Sequence, residues 1–267
     1  RRDRTATGRA VLRGAGLMRR PLRVLATVLG FLLVWGAGAL LLGPELLPSP
    51  LRVATRLADV FAGTGPRDRG ALYHFGRSLL RVAVVSALCL VLSTALGLAM
   101  GVDGRVERIV SVWLPLWMTV PTLVVVLVSM VLLDFSEAAV VAGVTFVATP
   151  FATANVWEGA RAVDPALLEM AGAFDVGRRD VILEVYLPAT LPQVVGSLRY
   201  LLGMVWKVVV LAETFGLEHG LGAMFRFWFN QGDVTAILAY LSLFVVVMVA
   251  LQYALGSVAD RLFVWRG

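Results

Sequence analysis

Asp164 to Pro192 reads DPALLEMAGAFDVGRRDVILEVYLPATLP, a polar, amphipathic interruption in a chain otherwise built from membrane-length apolar runs. Leu167, Met170, Ala171 and Phe174 have the i, i+3, i+4, i+7 spacing of a helix that lays one face on a partner. Asp164 is placed to cap the first orphan amides, and Pro165 suits the first helical position, where its missing N–H is not needed. The spacing therefore predicts a short docking helix inside a loop at 158–190.

The rest of the chain says what that loop interrupts. Of 267 residues, 59% are hydrophobic and 16% charged, too apolar for a soluble domain that must cover itself with polar surface. A helix needs about 20 apolar residues to cross roughly 30 Å of hydrocarbon. Six runs meet that need, at 24–43, 78–101, 109–133, 138–157, 190–212 and 234–258. The expected fold class is an all-α integral membrane protein: a basic arm at 1–23, one transmembrane domain at 24–260 and a tail at 261–267. Val24 to Gly43 is too long for the apolar core of a signal peptide, and it follows a long basic arm, so it reads as a retained span.

Orientation follows the arginines. Arg1, Arg2, Arg4, Arg9, Arg13, Arg19, Arg20 and Arg23 all precede the first span, which predicts a cytoplasmic N-terminus. Six spans return the C-terminus to the same side. Fifteen Lys and Arg then lie inside and five outside, with Arg77, Arg81, Arg199 and Lys207 within or at the edge of spans. The loop at 158–190 holds six acids and three arginines, but acids contribute little to orientation. The basic arm fits an anionic lipid surface, at about 1 kcal/mol per residue. No folded soluble module accompanies it to suggest nucleic acid.

Several chemistries have no support. Cys89 is the sole cysteine and lies inside the second span, so no disulfide framework or cysteine metal site forms within one chain. Two histidines, His74 and His219, both read as outer-loop residues, make neither a zinc cluster nor a Ser/His/Asp arrangement. No GxxxxGK[ST] phosphate loop occurs, so any ATP hydrolysis belongs to a partner.

Between the first two spans, Val53, Leu57, Val60 and Phe61 mark an amphipathic segment expected at the outer interface, followed by a turn-rich break at 63–70. Short links at 102–108 and 134–137 predict tight helical hairpins. Pro115, Pro121 and Pro150 free carbonyls that at membrane depth must face protein or a wet cavity, so they read either as pathway markers or as packed kinks. Gly97 and Gly101, at GxxxG spacing, suit close helix packing.

From Glu169 to Pro188 the chain resembles the EAA loop of binding-protein-dependent ABC importer permeases: Glu169, Met170 and Ala171, a turn, then Tyr186, Leu187 and Pro188. LPSP at 47–50, SLLRV at 78–82, Val120–Pro121, LPATLP at 187–192 and Trp206 through Ala212–Glu213 are similar to the nitrate, sulfonate, taurine and bicarbonate branch. The resemblance implies a type I ABC importer permease of the bacterial cytoplasmic membrane. It would act as a homodimer with two ABC ATPase subunits and an extracytoplasmic binding protein, bind no cofactor itself, and rely on ATP and Mg held by the ATPases. It further implies that Leu167, Glu169, Met170, Ala171, Phe174, Asp175, Val176 and Gly177 form the ATPase-coupling element.

Two positions depart from the family. Asp175 stands where a Gly is usual, and Asp visits the left-handed region with limited strain; Gly177 offers a second place to rebuild the turn. The aromatic–Gly segment that commonly ends the third span is shortened to Leu132, Leu133, Asp134 and Phe135.

Lys207 is the sole lysine and sits well inside the fifth span, where a charge needs a partner or water. It reads as a contact for an anionic substrate, as an ion pair with Glu213 across a dimer, or as a snorkelling cation. Glu213 reads as shaping the cavity mouth or as an interfacial carboxylate. Trp206, Pro121 and Arg81 complete the candidate pathway, although Arg77 and Arg81 also suit snorkelling anchors. The substrate expected is a small anion; a small nitrogenous compound such as a thiamine-precursor pyrimidine is the alternative within the same architecture. An ion-coupled secondary transporter would show intramembrane acids or an inverted repeat, and no repeat is found. A scaffold would not need Lys207.

Overall fold

The computed structural model describes residues 4–61 and 70–262, and their regular elements are all helical. In order these are α1 (Arg4–Leu42), α2 (Pro50–Phe61), α3 (Ala71–Val102), α4 (Gly104–Met118), α5 (Thr122–Leu132), α6 (Glu137–Arg161), α7 (Pro165–Ala173) and α8 (Arg178–Asp180). A π-helical turn (Val181–Tyr186) then runs into α9 (Leu187–Gly216), followed by α10 (Leu221–Asn230) and α11 (Val234–Leu262). The expected turn at 63–70 and most of the tail at 261–267 lie outside the described residues.

Among the described residues, five helices are each long and apolar enough to cross a membrane: α1 from Arg23, α3, α6, the run from Arg178 to Gly216, and α11 to Ala254. The third expected span, at 109–133, is a bent pair: α4 and α5 meet at 93°. At 1.5 Å per residue they measure about 22 and 16 Å, so neither alone crosses roughly 30 Å of hydrocarbon. Pro121 supplies the break. It lacks an N–H and keeps the residue before it out of the α region, so it becomes the N-cap of α5, with φ −62° and ψ 120°. Pro115 and Pro150, by contrast, stay inside α4 and α6.

Burial ranks the helices. The apolar window of α6 is 67% buried and that of α1 6%, so α6 is the axis of the protomer and α1 a peripheral helix. Around α6 pack α3, α4, α5 and α9. Its contact with α3 is close because Gly97 lies against Val156 and Gly101 against Ala160; a Cβ at Gly97 would fall 2.7 Å from that of Val156. This is the packing role expected of the GxxxG pair. Val53 and Val60 of α2 are buried, and the helix lies on α11, where Arg56 pairs with Asp233 at 3.1 Å and stacks over Trp228.

Two elements were not foreseen. α10 lies between the fifth and sixth expected spans, where Leu221, Met224, Phe225 and Trp228 follow helical spacing between Gly220 and Gly232. The π-helical turn follows from Pro188: without an N–H it cannot bond the Glu184 carbonyl, and the Leu187 amide instead reaches Ile182, five residues back.

Candidate functional site

The short helix foreseen in the loop at 158–190 is α7. The Asp164 carboxylate accepts from the Ala166 amide at 2.9 Å, and Pro165 opens the helix. At the other end the Val176 amide bonds the Ala171 carbonyl at 2.9 Å and the Asp175 amide bonds Gly172 at 3.1 Å. This is a Schellman closure with Asp175 in the left-handed position, at φ 53°. The turn is thus made by Asp175 itself and is not rebuilt at Gly177, whose φ is −58°. A β-branched residue is strained in that region. Asp175→Val is expected to lower the thermal midpoint of the solubilised protein by the equivalent of about 1–2 kcal/mol, with Asp175→Gly tolerated; equal midpoints for Val and Gly would contradict the assignment.

With its ends fixed, α7 turns Ala171 inward, over a small cluster of Ala160, Val163 and Tyr186 that Leu168 also joins. Its other apolar side is bare. Phe174 is 78% exposed and Met170 53%, and Leu167, Glu169 and Val176 are exposed beside them. The base of the loop is tied to the bundle by Arg178 and Asp103, 3.2 Å apart, while Trp157 donates to Glu107. The Arg105 amide and then the Arg178 guanidinium hold the Asp103 carboxyl below the usual carboxylate range.

The opposite end of the bundle, about 37 Å away along the 25 residues of α6, holds a charge cluster. Glu213 is fully buried at the end of α9. It accepts from Arg81 Nη1 at 2.6 Å, from the Ser78 hydroxyl at 2.7 Å and from the Gly222 amide at 3.0 Å. Arg81 also reaches Glu137 through Nε at 2.5 Å and Nη2 at 2.6 Å, and donates to the His219 carbonyl at 2.8 Å. Arg77 bonds Glu137 as well. The Leu221 and Gly220 amides donate to Ser78 Oγ and His74 Nδ1. One network therefore pins α3, α6, α9 and the start of α10. Gly220, at φ 127°, lies so close to the Glu213 carboxyl that a Cβ would overlap it.

Several sequence expectations change here. α3 begins at Ala71, so Arg81 is a buried ion-pair residue and not a snorkelling anchor. His74 is a buried α3 residue, not a loop residue. Glu213 is engaged by Arg81 of its own chain, which removes both the interfacial carboxylate in water and the pairing with Lys207. Trp206 is fully buried between Phe75 and Phe244, ring centroids 5.5 and 5.6 Å away, and lines no surface of the protomer. Lys207 and Pro121 are exposed. Pairing of Arg81 with two acids on other helices was invisible in sequence, because 132 and 56 positions separate the partners.

A helical bundle of several membrane-length segments, interrupted between α6 and α9 by a capped helix with an exposed apolar face, defines a multi-pass membrane component. The chain belongs to the family of binding-protein-dependent transport system inner membrane components, whose profile matches residues 67–266. It is a permease subunit of an ABC importer, a transport component of the inner membrane. The taurine transport system permease protein TauC of Escherichia coli is 25% identical over 94% of this chain and 92% of its own length. The nitrate import permease protein NrtB of Synechococcus elongatus is 24% identical, covering 89% and 85%. The putative aliphatic sulfonates permease SsuC of Escherichia coli is 34% identical over 40% of this chain and 37% of its own length. A permease fold of the same type occurs in the inward-facing MetNI methionine transporter, with TM-score 0.62 and 18% identity over 69% of this chain and 92% of that one.

Proposed function

We propose that the chain, paired with a second copy, forms the pathway of an importer for a small organic or inorganic oxyanion. In this reading α7 seats in a groove of each of two ATPase subunits, which hold the ATP and Mg. The bare apolar face of Leu167, Met170 and Phe174 carries the assignment: left in water it is an exposed patch of the kind that marks a partner site. Glu169, on the same exposed side, supplies the charge that orients the contact. Both termini then lie on the ATPase side, as the arginine distribution asks. The cluster end of the bundle faces the binding protein. ATP binding draws the ATPases together, the paired α7 helices follow, and the two bundles tilt to open the cavity outward; hydrolysis resets them.

The anionic substrate class rests on two supports. The cargoes named for relatives, taurine, nitrate, aliphatic sulfonates and bicarbonate, share an oxyanion group. Lys207, a span-interior cation, is exposed on α9 and pairs with no described carboxylate, so a passing anion can meet it. Lys207→Met is expected to reduce ATP-driven uptake of taurine, alkanesulfonate, nitrate or bicarbonate, whichever the importer accepts, by about tenfold or more in proteoliposomes holding the complete importer. Unchanged uptake in that variant removes Lys207 from the pathway.

A further inference from the structure

Cations of the bundle divide by whether a carboxylate of the same chain meets them. Arg77 and Arg81 share Glu137, Arg81 also holds Glu213, and Arg56 holds Asp233. Arg226, on α10, has no carboxylate partner among the described residues. Its Nη2 donates to the Leu217 carbonyl at 2.8 Å, which fixes the side chain and leaves the rest of the guanidinium fork for other acceptors.

Arg226 stands in the wall of a groove of ≈ 460 Å³ where the end of α9, α10 and the start of α11 meet. Its neighbours there are Thr214, Phe215, Phe225, Phe229 and Asn230. The size is that of a small-ligand site. Phe229 is 74% and Phe215 45% exposed, so aromatic surface with one cation set among it is open at this end of the bundle. The groove also lies above Lys207. Thr214 follows Lys207 by seven residues, which places the two within about 20° on α9 and about 10 Å apart along it.

We propose that this groove is a receiving site for the transported anion, a deepening that rests on the importer reading above. The oxyanion head makes charge-assisted bonds to Arg226, and the Asn230 amide adds a further donor. The organic part lies on Phe215, Phe225 and Phe229, and Lys207 is the next cation inward. The Arg81 cluster is unsuited to the role because its donors are already taken by Glu137, Glu213 and the His219 carbonyl. A protein partner is the less favoured occupant: Arg226 is half-buried in a concave aromatic wall rather than standing on a flat rim.

The test uses the purified permease–ATPase complex without its binding protein, titrated with butanesulfonate and with the uncharged butyl methyl sulfone, binding being read by saturation-transfer NMR. Butanesulfonate is expected to bind saturably and more tightly than the sulfone. Arg226→Gln, which keeps a polar donor but removes the charge, and Phe229→Ala should each weaken it at least tenfold, with Arg226→Lys recovering part. Arg199→Gln, 15 residues before Thr214 and so about 22 Å away along α9, should leave it unchanged. Equal binding by Arg226→Gln, or no saturable binding by the unaltered complex, overturns the site. Arg226→Gln losing only binding-protein stimulation of ATP turnover, with butanesulfonate binding intact, assigns the groove to protein docking and also overturns it. Uptake in proteoliposomes separates the two claims: no ATP-driven anion uptake alongside Arg226-dependent binding sinks the importer's anion specificity and leaves the groove standing.

Discussion

Arg81→Leu is expected to be the most damaging single change in the molecule. It removes the cation from Glu213, which is fully buried, and leaves a carboxylate with Ser78 and the Gly222 amide but no positive charge. Breaking one side of a buried pair costs about 3–5 kcal/mol, because the surviving charge is stranded. Glu137 suffers less: Arg77 still reaches it, and its side chain is 47% exposed. The readout is the thermal midpoint and the monodisperse yield of the detergent-solubilised chain. Arg81→Leu combined with Glu213→Gln should recover part of the loss, since the doubly altered site holds no buried charge. A single variant as stable as the parent would mean that the cluster does not hold α3, α9 and α10 together.

Glu169→Arg is expected to have the largest functional effect. Glu169 lies on the exposed side of α7 with Leu167 and Met170, away from the small cluster that anchors the helix. Reversing it should therefore leave the bundle folded and inserted. At the ATPase contact, a charge of the wrong sign is expected to cost several kcal/mol of association. Substrate-stimulated ATP turnover should fall at least tenfold, or the ATPase should be lost on purification. Normal stimulated turnover in a complex of normal composition would sink the coupling role of α7.

α7 and the Arg81 cluster differ in how plainly the sequence announces them. α7 was legible to within a few residues because everything that makes it is local: Asp164 at the N-cap, Pro165 in the first turn, an apolar stripe, and an Asp able to adopt φ > 0 at the close. The long spans were legible for the same reason, each carrying its own hydropathy. The bend in the third was not legible because hydropathy does not register a bend, and the run from Gly104 to Leu132 is apolar on both sides of Pro121. α10 hid in the opposite way, being ten residues long between glycines and too short to stand out as a span.

The charge cluster was illegible as a cluster. Each member was visible as an ionisable residue near a span end, yet Arg81, Glu137 and Glu213 are brought together only when α3, α6 and α9 pack. The same packing turned Trp206 inward while its neighbour Lys207 stayed exposed, a distinction of 100° on one helix that sequence position alone does not make.

In the proposed importer, α7 is the element that receives force from a partner ATPase. Phe174 is its most exposed apolar side chain, so a photoreactive benzoylphenylalanine placed there should be tolerated by the fold and lie at the contact. Irradiation of native membranes, followed by purification of the tagged chain and mass spectrometry of the adduct, tests the contact directly. The expected result is one dominant crosslink, to a P-loop ATPase, lost when Glu169→Arg is combined with the probe. A chain that is recovered uncrosslinked and free of any ATPase, from membranes that still carry out the transport, would contradict it.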